Sequence, residues 1–353
     1  IVGRGIADDK GSAIVALHCL RVLKDEGVIG KRKLRVVMGS GEEVGMKDMV
    51  YYFDKEQKPT IGFTPDSEYG VCNCEKGHII FKVTNKNESS IVKTFDAGTV
   101  VNAVPYKAEA VLSLSKEESE ILENATKVHE GDFEICAIGD DIKVISHGTA
   151  AHASTPEHGK NAASLLIDLL YKVFGEKIGK TLVFAKDKIG LSYDGSNFSM
   201  KCSEEYSGDL TLNLGIVKVD SEKAEISVDI RFPKNKKYAE FKGIIENAVS
   251  EYGLELEKIS GEEAIYISAD CPLVEMLTGA YKDITGEECD VFAMGGGTYA
   301  KAMGGKGVAF GPSFQDDETH IHDCNEKINL EKFKIHAQIC LESMYRMFTI
   351  DEV

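Results

Sequence analysis

The stretch Leu34-Arg35-Val36-Val37-Met38-Gly39-Ser40-Gly41-Glu42-Glu43-Val44-Gly45 decides how the rest of the chain is read. A short, mostly apolar run ended by glycine predicts a buried strand. The two glutamates that follow sit in a glycine-rich turn, where packing gives them no purpose. Consecutive side chains point apart, so one carboxylate can hold a metal ion while its neighbour faces a bound water. A strand end is also where open α/β sheets place ligands.

Working outward, Gly3-Arg4-Gly5-Ile6-Ala7-Asp8-Asp9-Lys10-Gly11 precedes a helical stripe of Ile14, Leu17, Cys19, Leu20 and Leu23. Asp8 or Asp9 can cap that helix, from about residue 10 to 26, and Gly27 stops it. Residues 60–63 predict another strand, before Thr64-Pro65-Asp66-Ser67-Glu68. Strands alternating with helices predict a mainly parallel sheet covered on both faces, an α/β fold.

The pattern changes near Gly77. Strands at 79–83, 110–114, 142–146, 210–216 and 225–232, with helices at 161–174 and 239–252, predict an antiparallel α+β unit. The α/β character then returns. A helix is expected at 271–285, the run Gly295-Gly296-Gly297 leads into a short helix, and 308–310 is a strand. Asn329 can cap a closing helix that buries Leu330, Phe333, Ala337, Cys340, Leu341, Met344 and Phe348. The expected organisation is one α/β domain, residues 1–77 and 264–353, interrupted by an inserted α+β domain, residues 78–263.

At 353 residues, 43% hydrophobic and 28% charged, the chain has the composition of a soluble two-domain protein. A formal net charge of −17 argues against a nucleic-acid groove. No run of 18 apolar residues could span a membrane, and no basic-then-apolar leader is present. Nine scattered cysteines predict reduced thiols and a cytoplasmic protein. Cys72-Asn73-Cys74 has no second pair near it and fits two small residues of a strand or loop. The chain opens with Ile1 directly before a glycine motif, so a fragment lacking its N-terminal portion is expected.

A fourth cluster, Thr319-His320-Ile321-His322-Asp323-Cys324-Asn325-Glu326, adds imidazole. Each cluster has a bland explanation by itself: a helix cap, a solvated carboxylate or a surface histidine. Together they supply the ligand set for zinc or manganese. A carboxylate bridging two metals would lower the pKa of a shared water, and a free glutamate could take its proton. A dinucleotide-binding turn fits Gly39-Ser40-Gly41 poorly, because it needs glycine where Val44 stands. It would also set Glu42 and Glu43 beside a pyrophosphate.

In order along the whole chain, these clusters resemble the dinuclear zinc metallopeptidases that include PepV-type dipeptidases, carnosinases, glutamate carboxypeptidase and succinyl-diaminopimelate desuccinylase. The pattern is most similar to the PepV type. The resemblance implies an α/β catalytic domain interrupted by a lid domain. It makes Asp8 the bridging carboxylate, Glu42 the general base and acid, Glu43 and His322 the second-metal ligands, and Asp66 a first-metal ligand. An aspartate at position 66 is typical of the aminopeptidase and dipeptidase members. In the lid, His152 of Ala151-His152-Ala153-Ser154-Thr155-Pro156 would stabilise the oxyanion, with His158 of the same loop a second candidate. Asn102, Arg231, Gly295, Gly296 and Gly297 would bind substrate, Arg231 through its carboxylate.

The family also has a His-x-Asp motif well upstream of the glycine motif, with a first-metal histidine and an aspartate that orients the base. This chain has neither, so the stretch by itself is expected to be metal-poor and inactive. The resemblance implies a dipeptidase that takes dipeptides with a free N-terminus. Two divalent ions per subunit are expected, zinc foremost and manganese the alternative, in a monomer or homodimer without nucleic-acid or membrane partners. An N-acyl amino acid deacylase on the same scaffold, or a catalytically dead binding protein, are the alternatives.

Overall fold

A computed structural model describes residues 1–127, 131–322 and 324–351, which leaves Asp323 of the histidine-rich cluster outside the described residues. The chain divides into two compact units. One is built from Ile1–Glu75 and Ile265–Val353, the other from Lys76–Ala264.

The first unit is α/β. Its five-stranded sheet runs Gly62–Thr64, Gly307–Phe310, Val71–Glu75 and Ile265–Tyr266, with Val291–Met294 also paired to Val71–Glu75. Gly62–Thr64 lies parallel to Gly307–Phe310 over three positions, and Val291–Met294 parallel to Val71–Glu75 over four. The antiparallel pairings cover two positions each, so the sheet is mainly parallel. Val71–Glu75 is buried at every residue, which explains its lack of period-two alternation. Cys72 and Cys74 are strand residues within it, fully buried, and burial pushes the Cys72 thiol well above its ordinary value.

Helix Leu330–Thr349 ties this unit together. Asn329 caps it, its side chain accepting from the Glu331 and Lys332 backbone N–H groups. Ile339 and Met347 face Val71, Val308 and Leu277 in one core. Cys340 and Met344 meet Val15, Cys19 and Leu23 of helix Lys10–Asp25 in another. At the start of Lys10–Asp25 no side chain caps the helix, contrary to the expectation for Asp8 or Asp9. The loop does this with its own backbone, since the Lys10 N–H donates to the Gly5 carbonyl at 2.8 Å. Both aspartates are thereby left for other partners.

Residues 34–38 depart from the sequence expectation. They run without helix or strand assignment and are half-buried to exposed rather than buried. A ladder needs a neighbour, and among the described residues no backbone hydrogen bond joins this segment to another. Leu34 and Val36 still pack on the core of the two long helices. The segment, strand Gly62–Thr64, helix Lys10–Asp25 and Met344 line a cavity of about 950 Å³.

The second unit is an eight-stranded sheet, antiparallel throughout, in the order Glu255–Glu262, Gly77–Lys86, Lys223–Phe232, Thr211–Val219, Val92–Ala97, Lys107–Leu112, Asp141–His147, Phe133–Ile138. Alternation along Lys223–Phe232 sends Ala224, Ile226, Val228, Ile230 and Phe232 into the core. Helices Ala162–Phe174, Lys180–Lys188 and Tyr238–Glu251 supply the facing apolar residues, including Leu166, Leu170, Phe184 and Ile245. Fully burying one such side chain stabilises the fold by about 1.5–3 kcal/mol.

Candidate metal centre and active site

In the first unit, three loops deliver carboxylates to one place. Asp8 ends the glycine loop before the first helix, Glu42 and Glu43 form a turn of 3-10 helix, and Asp66 follows strand Gly62–Thr64. The His322 Nε2 atom lies 2.9 Å from Asp8 Oδ2 and 2.7 Å from Glu43 Oε1. Ligand atoms of Asp8, Glu43 and His322 fall within 4.8 Å of one another. His322 has φ 61°, left-handed backbone that non-glycine residues seldom adopt.

Glu326 holds the Asp8 loop in place, a role the sequence did not disclose. Its carboxylate accepts from the backbone N–H groups of Gly5 at 2.7 Å, Ala7 at 2.9 Å and Asp8 at 3.1 Å. Arg4 Nη1 adds a contact at 3.1 Å. Burial alone would raise this carboxyl, yet the three N–H donors and Arg4 hold it below its ordinary value. Glu326 is four positions after His322, so one short segment places an imidazole and braces the loop that carries Asp8. Three or more converging N–H groups are invisible in a sequence, which shows only a glutamate near a histidine.

The remaining carboxylates crowd. Burial, then the charge of Asp66, pushes Glu42 up to about 8. Asp66 is pushed to about 6 by burial, then by Asp8 and Glu43. Asp9 is pushed to about 8 by burial and Asp66, and its Oδ1 is buried without a hydrogen-bond partner. Asp8 is raised by burial and by Glu43. Hydrogen bonds to Glu43 and the charges of Glu43 and Asp8 raise His322 despite its partial burial. Carboxylates that repel one another around an imidazole, with an orphaned buried oxygen beside them, fit a divalent cation of the zinc or manganese type. Asp8, Glu43 and His322 form the one cluster of metal-ligating atoms found among the described residues. Asp66 is electrostatically coupled to it but stands outside that group of three.

In the second unit, the residues singled out from the sequence gather at one end of the sheet. Arg231 faces Thr211 across neighbouring strands, and Asp229 faces Asn213. Arg231 Nε and Nη2 grip the Asp229 carboxylate at 2.7 and 2.9 Å, a two-pronged pairing of residues two apart on one strand face. His78 Nε2 reaches the same carboxylate at 3.1 Å. Burial would raise Asp229, yet the His78 hydrogen bond and the Arg231 charge hold it low.

Asn102 and His152 are brought together on two short bridged segments. The Ala153 N–H donates to the Asn102 carbonyl at 2.9 Å, and Ala103 pairs with His152. Asn213 Nδ2 fastens this bridge through the Val101 and Ala103 carbonyls, at 3.2 and 2.9 Å. A Cβ at Gly215 would lie 2.2 Å from the Val101 carbonyl oxygen, so glycine is required there for the approach. His152 Nδ1 lies 2.6 Å from the Ser154 hydroxyl and 3.2 Å from the Ser154 backbone N–H, two contacts that fix the ring's orientation. His158 ends a separate turn of 3-10 helix in the same loop. Gly295, Gly296 and Gly297 belong to the first unit, just after strand Val291–Met294.

Residues 1–346 match the family described as Peptidase family M20/M25/M40. The chain belongs to this family. It is therefore a peptide hydrolase of a metal-using family. "Putative dipeptidase YtjP" of Bacillus subtilis is 30% identical over 98% of this chain and 76% of its own length. "Putative dipeptidase SSP1012" of Staphylococcus saprophyticus is 29% identical over the same shares. Among solved structures, the M20 family metallo-carboxypeptidase Sso-CP2 of Sulfolobus solfataricus superposes with a TM-score of 0.54 at 15% identity. That comparison covers 98% of this chain and 77% of Sso-CP2, and it shows the shared fold. No described helix is long and apolar enough to cross a membrane.

Two outcomes follow from the crowded carboxylates and their brace. Groups with raised folded pKa bind protons more tightly in the folded state, so their contribution to stability is lost as pH rises through those values. Asp9 and Glu42, both near 8, set the window. The melting temperature of the metal-free chain should fall from about pH 7 to about pH 8.5, and zinc or manganese should restore it at the upper end. A flat metal-free profile across that window would remove the crowding argument. Replacing Glu326 by Ala strands three backbone N–H groups. It should cost on the order of 3 kcal/mol in urea unfolding and weaken metal retention; a change within about 0.5 kcal/mol would show that the brace is dispensable.

Proposed function

We propose that this chain carries the catalytic residues of a metal-dependent dipeptidase acting on dipeptides with a free amino end. The observation that carries the reading is the seating of His322 against both Asp8 and Glu43, with Glu42 beside them in the same acidic turn. The names borne by its relatives in Bacillus and Staphylococcus favour a dipeptide substrate over a longer one.

Asp8, Glu43 and His322 are the residues to hold one divalent ion, with Asp8 and Asp66 offered to a second. Bound there, such ions supply a water of lowered pKa and an electrophile for the scissile carbonyl. Glu42, the glutamate not engaged by His322, takes the proton of the attacking water. Burial and the charges of Asp66, Glu43 and Asp8 raise Glu42 in the metal-free chain, and cations held by those same neighbours would offset the repulsion and leave it ionised to act as the base. His152, its ring oriented by Ser154, is assigned the hydrogen bond to the oxyanion. Arg231, held in one orientation by Asp229, is assigned the substrate carboxylate, with Asn102 and the Gly295–Gly297 backbone as further substrate contacts. Nine free cysteines, four of them buried, support a reducing, cytoplasmic setting.

Glu42→Gln in the metal-loaded enzyme should lower kcat by about a hundred- to ten-thousandfold, as loss of a general base does. Bound metal, measured by atomic absorption, should stay level. Undiminished turnover would end the general-base assignment. Faster cleavage of N-acetylated than of free dipeptides by the parent would move the reading to a deacylase. Arg231→Lys loses the two-pronged geometry and should raise KM roughly tenfold with a smaller effect on kcat. An unchanged KM would free Arg231 from the substrate carboxylate.

A further inference from the structure

Two glycines of the Glu42 turn, Gly39 and Gly41, are not explained by metal binding. A Cβ on Gly39 would lie 2.0 Å from the Tyr299 hydroxyl oxygen and 2.5 Å from Asp48 Oδ2. A Cβ on Gly41 would lie 3.0 Å from Asp48 Oδ1. The turn is therefore glycine-rich because two polar side chains are pressed against its backbone.

Those side chains form a connected set. Asp48 Oδ2 accepts from the Ser40 N–H at 2.7 Å, the Gly41 N–H at 2.9 Å and the Tyr299 hydroxyl at 2.7 Å. The Gly41 N–H also reaches the Tyr299 hydroxyl oxygen at 3.2 Å. Asp48 Oδ1 accepts from the Met49 N–H at 2.9 Å, which fixes the carboxylate at the start of helix Lys47–Phe53. The Tyr299 hydroxyl hydrogen bond, with those from the turn, holds Asp48 ionised below its ordinary range despite its desolvation.

Tyr299 is itself anchored. It follows the run Gly295–Gly297 and Thr298. Thr298 donates through its N–H at 3.0 Å and its hydroxyl at 2.6 Å to the fully buried carboxylate of Glu75. An unbroken line thus runs from Glu75 on the central strand, through Thr298 and Tyr299, to Asp48 and the two N–H groups directly before Glu42. All of these residues lie in the first unit.

We infer that the Tyr299 hydroxyl and the Asp48 carboxylate act as a strut between the glycine loop and the Glu42 turn, and so are positioning residues for the general base. The inference rests on the dipeptidase reading for what Glu42 does. Among the described residues, the strut makes no hydrogen bond to Asp8, Glu43, Asp66 or His322. It sets the backbone from which Glu42 projects, and it ties that backbone to the loop assigned to the far end of the substrate. A misplacement of about 1 Å in a reacting group costs on the order of a hundredfold in rate, so loss of the strut belongs in kcat.

The test uses the full-length, metal-loaded enzyme and two readouts. Tyr299→Phe removes one oxygen, Asp48→Asn removes the charge, and Gly39→Ala wedges the strut apart. Each should lower dipeptide kcat at least tenfold while KM stays within about twofold and metal content is unchanged. Hydrogen–deuterium exchange should show slow amides at Ser40 and Gly41 in the parent. In Tyr299→Phe and Asp48→Asn those amides should exchange at least tenfold faster, with amides of the helix Leu330–Thr349 unaffected. Unchanged kcat, a loss falling on KM alone, or unaltered exchange at Ser40 and Gly41 would overturn the strut. If one variant fails to fold, by its melting curve, the remaining two decide. A parent that cleaves no dipeptide would defeat the proposed function instead, and the exchange experiment would still decide whether the strut exists.

Discussion

Like-charge repulsion among carboxylates governs the first unit. Asp8, Asp9, Glu42, Glu43 and Asp66 are brought together by three separate loops, and the imidazole of His322 is set against two of them, Asp8 and Glu43. A chain seeking stability alone would disperse these groups, because burying a charge without a partner is costly. The fold instead spends hydrogen bonds to keep them close: Glu326 on the Asp8 loop and Asp48 on the Glu42 turn, each gripping backbone N–H groups. Structure that opposes its own electrostatics is the mark of a binding site.

The two braces share a design. Each is a carboxylate whose oxygens are saturated by main-chain donors, and each stands next to carboxylates that are not. Burial raises both kinds, but the donors outweigh it only in the braces. Acidic residues of the same type are thus sorted into structural and chemical roles by the N–H groups around them.

The regular elements were legible where periodicity was strong. The helix after Asn329 and the inward alternation of Lys223–Phe232 both stand where the pattern puts them, though Leu330, expected on the buried face, is exposed. Strand Val71–Glu75 was not, since burial on both faces erases alternation and the buried Asn73 and Glu75 break the apolar run. Residues 34–38 read as a strand because propensity is local, whereas a ladder depends on a neighbour. At the site, clustering by chemistry marked Asp8, Glu42, Glu43, Asp66 and His322, and the structure brings these residues of four segments together. Glu326, Asp48 and Tyr299 went unmarked, as their partners are backbone groups far away in sequence. The faint signal for them was the pair of glycines at 39 and 41, whose need appears only once the hydroxyl and carboxylate that crowd them are seen.

The extended segment at 34–38 has one more consequence. The segment and strand Gly62–Thr64, which stands at the end of its sheet, line one cavity with Asp8, Glu42 and Asp66, and among the described residues the segment's own backbone joins no ladder. Such a margin is adhesive: any extended peptide that enters gains main-chain hydrogen bonds and buries its side chains in one step. In concentrated solution the most abundant supplier of extended peptide is the protein itself. Backbone left unpaired at 34–38 therefore adds a route to self-association, strand to strand, that a completed ladder would close.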